Sequence, residues 1–408
     1  MIQVGLIAAW LAYLVIGRLV VARLGGVLRD IAFSGLNVVG FYWFFLHGKN
    51  DHFNAAFIAY LGLVLGQYAM LRLFGKERNW KSWLAFFTPI AILIAARYLP
   101  YGLASVPNDH LRRLSALPLT TYLVGYSYVA FRSSQLVLEV RNGAVPMPSL
   151  WQYTGFCLFA PTIPVGPINP YRNFRRAFEP LPPVIPAGRA ALRVVVGLVK
   201  YLFLGALCDQ LGYSALLKNG HYHHWIDLPV AVVFYYLYLY LNFSGFCDMA
   251  IGAAGLMGIP VTENFDIPFA ARNVKDFWNR WHITLSAYMR DVVFNPLSKF
   301  LVRLFGPAQA NHAIALAIVV VFLLVGIWHG VGWNYAAFGA AHALGVVVNH
   351  YYTIGLKKWL GRDGFRAYNA NGWIRSAAVC VTFCYCAASL FLFANTFSEI
   401  TAIFASLL

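Results

Sequence analysis

Charged residues are scarce in this chain: Asp, Glu, Lys and Arg make up only 11% of its 408 residues, whereas 60% are hydrophobic. An ordinary water-soluble domain is about 25% charged and about 45–50% apolar. A soluble fold would have too few polar side chains to cover its surface, so lipid is the expected solvent. Because a helix needs about 20 apolar residues to cross a bilayer, the length allows about ten or eleven spans. No room is left for a soluble domain of about 100 residues.

Acidic residues are the scarcest charged group, with 15 against 31 Lys and Arg, so the net charge is +16. In a soluble protein this excess could indicate nucleic-acid binding. Here the basic residues lie in short loops between apolar runs, as Lys and Arg do in cytoplasmic loops of membrane proteins. We therefore expect a lipid bilayer and no nucleic acid as the partner. The same rule places the N-terminus outside and the basic stretches 171–179, 271–280 and 357–366 in the cytoplasm.

Several motifs for catalysis or metal binding are missing. The six cysteines form no Cys-x-x-Cys pair, so neither a zinc site nor a disulfide framework is predicted. The chain has no Gly-x-Ser-x-Gly elbow, Walker loop or zinc-protease motif. His221, His223 and His224 lie in a predicted outer loop without a standard ligand spacing, so no metal is expected there. No repeat or long polar linker divides the chain, which predicts one domain over residues 1–408.

Apolar runs account for most of the sequence and predict an all-α, multi-pass membrane protein with re-entrant and interfacial helices. The first run has no basic stretch before it and is predicted to be a span, not a cleaved signal. The candidate spans are Ile2–Ala22, Ile31–Leu46, Phe53–Leu73, Trp83–Tyr98, Leu117–Leu138, Leu192–Leu211, Leu228–Phe243, Ala313–Trp328, Trp333–Tyr352 and Ile374–Ala394.

The stretch from Phe156 to Pro170 is apolar but contains four prolines and Gly166. Proline at this density is incompatible with a continuous helix. Irregular backbone at membrane depth is tolerated only where protein buries it or a watery cavity touches it. The segment is therefore predicted to be re-entrant and to line an internal feature.

The densest polar run extends from Glu263 to Asp291. Within it, three pairs of residues four apart would stack on one face of a helix: Asp276 and Arg280, Trp278 and His282, and His282 and Ser286. The pattern predicts an amphipathic interfacial helix that carries His282 toward the protein interior.

A second histidine, His329, lies between glycines in the run from Gly326 to Asn334, where one apolar span ends and the next begins. Ionisable groups at membrane depth are costly and usually functional. An interfacial Trp328–His329 pair that anchors a helix end is the structural alternative. His342 and His350 are weaker candidates, expected to be packed or interfacial.

Neutral imidazoles in such positions suit acyl transfer, because an imidazole can take the proton of a hydroxyl as the hydroxyl attacks an acyl carbon. Asn242, Ser244 and Asp248, at the end of another span, could supply polar groups near the same cavity, although packing explains them equally well.

The two histidine motifs closely resemble those of the membrane-bound O-acyltransferase family. The matching runs are Glu263-Asn-Phe-Asp with Asp276-Phe-Trp-Asn-Arg-Trp-His282, then Gly326-Ile-Trp-His329-Gly; further matching stretches begin at Phe131, Phe159 and Asn242. The resemblance covers about residues 117–360 and is strongest to the bacterial branch that modifies envelope polymers. Asn169-Pro170 replaces a charged pair usual in that branch, and Thr284 stands where Ser is commoner.

This resemblance implies a ring of helices around a tunnel, with His329 as the catalytic histidine and His282 as its partner. The donor would be a cytoplasmic thioester, either acyl-CoA or an acyl group on the phosphopantetheine arm of a carrier protein, with no permanently bound cofactor. The acceptor would be a hydroxyl of an extracytoplasmic polymer or a secreted partner acyltransferase, and the location the bacterial cytoplasmic membrane. Residues expected to bind substrate or line the tunnel are Asn242, Ser244, Asp248, Trp278, Arg280, Ser286, Trp328 and Asn334.

Two other classes remain open from the sequence. A transporter or flippase would also use broken helices and buried polar groups, although it would not explain two Trp-His motifs. A scaffold subunit whose chemistry resides in a partner is the third possibility.

Overall fold

The structure, a computed structural model, describes residues 2–47, 53–104, 123–218 and 224–407. Within these ranges the chain is helical and has no β-strand; a single antiparallel bridge joins Phe265 to Trp281. The all-α prediction is therefore confirmed. His221 and His223 lie outside the described residues. Among the residues that are described, no group of three or more His, Cys, Asp or Glu side chains is placed to hold a metal ion.

The chain divides into two compact units, of which the first comprises Met1–Gly197 and Phe246–Thr262. A π-helical turn, Tyr42–Leu46, extends its second helix. The helices that begin in this unit are α1 (Ile2–Arg23), α2 (Gly26–Phe41), α3 (Phe53–Phe74), α4 (Trp80–Ala104), α5 (Tyr126–Arg141), α6 (Leu150–Cys157), α7 (Tyr171–Phe174) and α8 (Ala187–Leu198).

The second unit comprises Leu198–Gly245 and Glu263–Leu408 and contains both histidine motifs. Its π-helical turns are Val199–Leu204 and Arg290–Phe294. The helices that begin in it are α9 (Gly205–Asp209), α10 (Tyr213–Leu216), α11 (Asp227–Met257), α12 (Val274–Arg280), α13 (Ile283–Met289), α14 (Asn295–Phe305), α15 (Ala310–His329), α16 (Trp333–Ala370), α17 (Gly372–Ala394) and α18 (Phe397–Leu407).

Seven helices in the described ranges are long and apolar enough to cross a membrane, which makes the chain a multi-pass membrane protein. They correspond to seven of the ten runs predicted from the sequence. The run at 31–46 becomes the 16-residue α2 and a π-helical turn. The run at 117–138 lies partly outside the described residues, and α5 contains Arg132 and Glu139. The run at 333–352 belongs to α16, whose apolar part is interrupted by Asn334, His342, Asn349 and His350.

The proline-rich stretch in the first unit is buried irregular backbone, as predicted. It leaves α6 at Cys157, makes a 3₁₀ turn over Ala160–Thr162 and then has no regular structure until Tyr171. The Arg132 side chain, only 1% exposed, donates hydrogen bonds to the carbonyl oxygens of Thr162 at 2.6 Å and Phe156 at 3.4 Å. Buried protein therefore satisfies this backbone. That it lines an internal passage stays a prediction.

Asn169, one of the two departures from the usual pattern, secures the end of the same stretch. Its side-chain oxygen accepts hydrogen bonds from the backbone N–H of Thr262 at 3.3 Å and from the Asn173 amide at 2.8 Å. Its own amide donates to the Pro260 carbonyl at 2.9 Å. A local hydrogen-bond network thus explains a neutral residue at this position.

Glycines allow close packing of α15 against α16 in the second unit. A Cβ atom on Gly326 would overlap the carbonyl oxygen of Tyr335, and one on Gly339 would overlap that of Phe322. Small residues at such crossings let membrane helices approach closely. The glycine before His329 therefore has a packing role that fixes the helix on which the histidine lies.

We expect Gly339→Ala to destabilise the second unit by about 1–3 kcal/mol, the usual range for overpacking a filled interface. Gly355→Ala, in the same helix, is the matched control because a Cβ there meets no atom within 4 Å. Thermal unfolding of the purified protein in detergent measures both changes. Equal midpoints for the two variants would contradict the close approach.

Candidate active site

The helix predicted across Asp276 to Ser286 is broken at the histidine. α12 ends at Arg280, Trp281 is extended, and His282 has a left-handed backbone with φ of 46° before α13 begins. The predicted Asp276–Arg280 pair exists, at 3.0 Å. The predicted stacking of Trp278 on His282 is wrong, because the break turns the two side chains in different directions.

A short antiparallel pairing with residues 264–266 produces this break. The Asp266 N–H donates to the Arg280 carbonyl at 2.9 Å, and the Ile283 N–H donates to the Asn264 carbonyl at 3.0 Å. Arg280 adds an ion pair to Asp266 at 3.4 Å. A non-glycine residue rarely adopts positive φ, so surrounding contacts must impose it. These contacts do so at His282.

The side chain of Asn264 determines the tautomer of His282. The backbone N–H of Thr284 points at one Asn264 side-chain atom at 3.2 Å, and the Thr284 hydroxyl contacts the same atom at 2.8 Å. A backbone N–H can only donate, so this atom is the amide oxygen. The same oxygen lies 3.1 Å from Nδ1 of His282. Nδ1 must therefore carry the proton, and Nε2 carries the lone pair.

Nε2 of His282 is thus a buried, unprotonated nitrogen. The residue is only 3% exposed, and Nε2 has no hydrogen-bond partner among the described residues. The prediction that His282 faces the interior is confirmed. Burial, with a smaller contribution from His329, lowers the pKa of His282 to about 3. The ring therefore stays neutral throughout the physiological range and offers a lone pair to a donor group.

This burial predicts a loss of stability in mild acid. Because the folded pKa of His282 is about 3 and its ordinary value is 6.5, the unfolded chain binds more protons between these values. Folding stability contributed by this group is complete above about pH 6.5 and falls as the pH decreases toward 3. We expect a cost of about 2 kcal/mol at pH 5. Thermal unfolding at pH 7 and pH 5 should show a smaller acid shift for His282→Asn than for the unaltered protein; equal shifts would contradict the prediction.

His329, the last residue of α15, lies in the same aromatic cluster as His282. The Trp328 ring is 6.4 Å from the His282 ring and 4.6 Å from the His329 ring, between centroids. Phe243 packs edge-on against His282 at 4.8 Å, and Phe393 packs edge-on against His329 at 5.0 Å. Two motifs 47 residues apart in sequence therefore meet around one indole ring.

A third histidine, His342, is buried beside this cluster and fully hydrogen-bonded. The Trp278 indole N–H donates to its Nδ1 at 3.1 Å, so its proton lies on Nε2, which donates to the Ser389 hydroxyl at 2.9 Å. Ser389 in turn donates to the Cys386 carbonyl at 2.8 Å. His342 is packed, as the sequence suggested, and it holds Trp278 in place.

A cavity of about 530 Å³ extends along α15 and α16. Trp278, Leu285 and Ser286 line it, whereas His282 and His329 do not. Ser286 thus borders an open space, and its hydroxyl is 3.5 Å from the Trp281 carbonyl.

Of the remaining predicted site residues, Asn334 and Asp248 form polar contacts. Asn334 is buried and donates to the Leu392 carbonyl at 3.2 Å, which ties α16 to α17. Asn242 adjoins Phe243, and the buried Ser244 hydroxyl has no hydrogen-bond partner in the described part of the chain. Asp248 belongs to the first unit, where it forms an ion pair with Arg193 at 2.9 Å.

Asn264 and Ser389 were not selected from the sequence. Asn264 lies within the polar run, but the signal that distinguishes it, pairing with residues 280–284, is a tertiary one. Ser389 is a single hydroxyl in an apolar helix, where packing is the ordinary explanation.

Comparison with known proteins identifies the chain. Residues 80–391 match the model of the membrane-bound O-acyltransferase family. The chain belongs to this family. The match extends beyond the predicted core of residues 117–360 at both ends.

Three relatives of this O-acyltransferase illustrate the range of similarity. The teichoic acid D-alanyltransferase of Streptococcus thermophilus is 30% identical over 329 residues, covering 76% of this chain and 74% of the relative. The teichoic acid D-alanyltransferase of Bacillus subtilis is 29% identical over 284 residues, covering 67% of this chain and 68% of the relative. The probable alginate O-acetylase of Pseudomonas syringae is 27% identical over 283 residues, covering 68% of this chain but 52% of the relative.

The family membership confirms that the protein is an acyltransferase of the membrane. It favours acyl transfer over the transporter and scaffold alternatives.

Proposed function

We propose that this O-acyltransferase moves a D-alanyl group from a cytoplasmic thioester on a carrier protein to a hydroxyl on the outer side of the bacterial cytoplasmic membrane. The acceptor is a hydroxyl of an envelope polymer or of a partner protein that relays the group. Acetyl transfer from acetyl-CoA is the second candidate. The relatives named teichoic acid D-alanyltransferase favour the first, because this chain covers more of their length than of the alginate O-acetylase.

The observation that carries the proposal is the meeting of His282 and His329 around Trp328. In the proposed reaction, His329 takes the proton of the acceptor hydroxyl as its oxygen attacks the acyl carbon. The carbon–sulfur bond then breaks, and the proton passes to the departing thiolate, which leaves as a thiol. A base of this kind contributes about 10²- to 10⁴-fold in rate.

His282 has a different proposed role, which follows from its tautomer. Because Nε2 has a lone pair and no proton, it accepts a hydrogen bond and cannot donate one to an oxyanion. We assign it to hold a donor group of the substrate, such as an amide N–H of the phosphopantetheine arm. A fixed acceptor orients that group before the reaction.

The net charge of +16 also supports an anionic donor. Carrier proteins and CoA are both anionic, and a basic surface accelerates the approach of such ligands by long-range attraction. Both candidate donors are attracted in this way.

Transfer assays in membrane vesicles distinguish a carrier-protein donor from acetyl-CoA. Vesicles that contain the protein, with the cytoplasmic face outward, would receive either a D-alanyl thioester of a carrier protein or acetyl-CoA, each with labelled acyl group. We expect label to leave the carrier thioester and to appear in alkali-labile ester inside the vesicle. Transfer from acetyl-CoA alone would overturn the D-alanyl assignment and retain the acyltransferase. Transfer from neither donor, in vesicles where the protein is intact, would overturn both.

A further inference from the structure

The cavity beside Trp278 is a groove along a membrane-spanning helix. Its lining includes Asn311, near the beginning of α15, and extends to Val325, fourteen residues further on. At about 1.5 Å of rise per residue the groove is about 21 Å long. The hydrocarbon region of a bilayer is about 30 Å thick, so a groove of this length extends past the middle of it.

The polarity of the lining changes along the groove. Towards one end of the candidate span that contains α15, the lining includes the exposed residues Lys275, Arg290, Asn311 and Lys357. Further along α15 it is apolar. The apolar lining residues of that helix are Ile314, Ile318, Val321, Phe322 and Val325. In a bilayer crossed by this helix, we therefore expect the charged residues at the depth of the lipid headgroups and the apolar residues at the depth of the acyl chains.

The two lysines at this end have no carboxylate partner within the described ranges. Lys357 lies over the Phe365 ring at 5.2 Å. Burial and, to a smaller extent, the charge of Lys275 lower the pKa of His350. Arg290 forms an ion pair with its exposed neighbour Asp291, at 3.0 Å. By contrast, Arg280, which is in α12 with Lys275, forms ion pairs with two aspartates. At this end of the groove, Lys275 and Lys357 thus provide positive charge that no carboxylate of the described residues compensates.

We infer that this groove binds an anionic phospholipid, with the headgroup phosphate between Lys275, Arg290 and Lys357 and an acyl chain against the apolar stripe of α15. Basic pockets between membrane helices on the cytoplasmic side bind anionic headgroups, and the volume of about 530 Å³ lies within the usual range of about 300–1,000 Å³ for ligand sites. The proposal does not rest on the identity of the acyl donor or acceptor.

The proposed lipid would also contact Trp278, which is linked to the buried His342. Trp278 forms part of the groove wall and is hydrogen-bonded to His342. An acyl chain in the groove packs against the indole and keeps water away from that wall.

Lipid retention by the purified protein tests the charged end. The protein is reconstituted in nanodiscs with phosphatidylglycerol or with phosphatidylcholine of the same acyl chains, extracted in mild detergent, and assayed for bound lipid by native mass spectrometry. We expect phosphatidylglycerol to be retained preferentially, and Lys357→Gln to reduce its retention about fivefold. Lys358→Gln is the matched control, because this adjacent exposed lysine does not line the groove. Equal effects of the two variants, or equal retention of the two lipids, would overturn the proposal.

A second pair of variants tests the apolar end. Val321→Phe adds a ring at a residue that lines the groove, whereas Leu316→Phe adds the same ring at a residue that does not line it and is 42% exposed. We expect only Val321→Phe to abolish retention of phosphatidylglycerol. If both variants retained phosphatidylglycerol, the proposal would be overturned. Displacement of the bound lipid by soluble phosphopantetheine would instead assign the groove to the donor and would also overturn it.

Discussion

His329→Ala is expected to reduce acyl transfer by about 10²- to 10⁴-fold, the contribution of a general base. The histidine ends α15 beside Trp328 and within the same aromatic cluster as His282. Alanine removes the proton acceptor and leaves the helix intact. Single-turnover transfer in vesicles measures the loss, and binding of the donor should be unchanged, because the removed group acts on the hydroxyl.

The control for this variant lies on the same helix. His312 is exposed, and its ring nitrogen contacts the Tyr351 hydroxyl at 2.6 Å. We expect His312→Ala to change transfer by no more than about twofold, as is usual for exposed positions. If His329→Ala retained most of its activity in correctly inserted protein, the histidine would be a packing residue and the assignment of the base would fail.

Asn264→Leu is expected to reduce transfer by about 10- to 100-fold, the usual cost of losing a residue that orients a functional side chain. Leucine has nearly the same shape but no acceptor for Nδ1–H of His282 or for the N–H of Thr284. The ring is then free to change tautomer or to rotate, so Nε2 no longer presents a fixed lone pair. The measurement is the rate of transfer at saturating donor.

Rescue by a conservative variant separates this positioning role from a loss of stability. Asn264→Asp keeps an oxygen that accepts from both groups, so we expect it to restore transfer to within about tenfold of the unaltered protein. We expect Asn264→Leu to lower the free energy of unfolding by about 1–3 kcal/mol, because a buried donor loses its acceptor. Thermal unfolding measures this change. If the transfer rates of the two variants followed only their thermal stability, and Asn264→Asp were no more active than its stability predicts, Asn264 would have a structural role and no positioning role.

The sequence predicted well the features that depend on composition and on short-range pattern. Apolar runs predicted the helical membrane fold, and proline density predicted the irregular stretch after Cys157. The spacing of Asp276 and Arg280 predicted an ion pair that the structure contains. These features are local, because each depends on residues within one or two helical turns.

The features missed depend on contacts between distant segments. A helical period across Trp278, His282 and Ser286 predicted one continuous helix, but pairing with residues 264–266 breaks it and gives His282 a positive φ. No local signal indicates such a break, since histidine has no special preference comparable to that of glycine. The tautomer of His282 likewise depends on Asn264, eighteen residues away in sequence.

The polar residues of the motifs divide in the same way. Arg280 and Asn334 were predicted to meet substrate, and the structure shows an ion-paired brace and a link to the Leu392 carbonyl. A polar residue next to a Trp-His motif can either bind substrate or stabilise the backbone of the motif, and the sequence pattern is the same in both cases. Their role in substrate binding stays a prediction.

The account depends most directly on His282 and His329 acting as one unit. A double-mutant cycle measures this, with transfer rates for His282→Asn, His329→Ala and the variant that carries both changes. Residues that act together are strongly non-additive, so the double variant should lose about as much activity as His329→Ala alone. A loss equal to the product of the two single losses would show that the histidines act independently and would contradict the account.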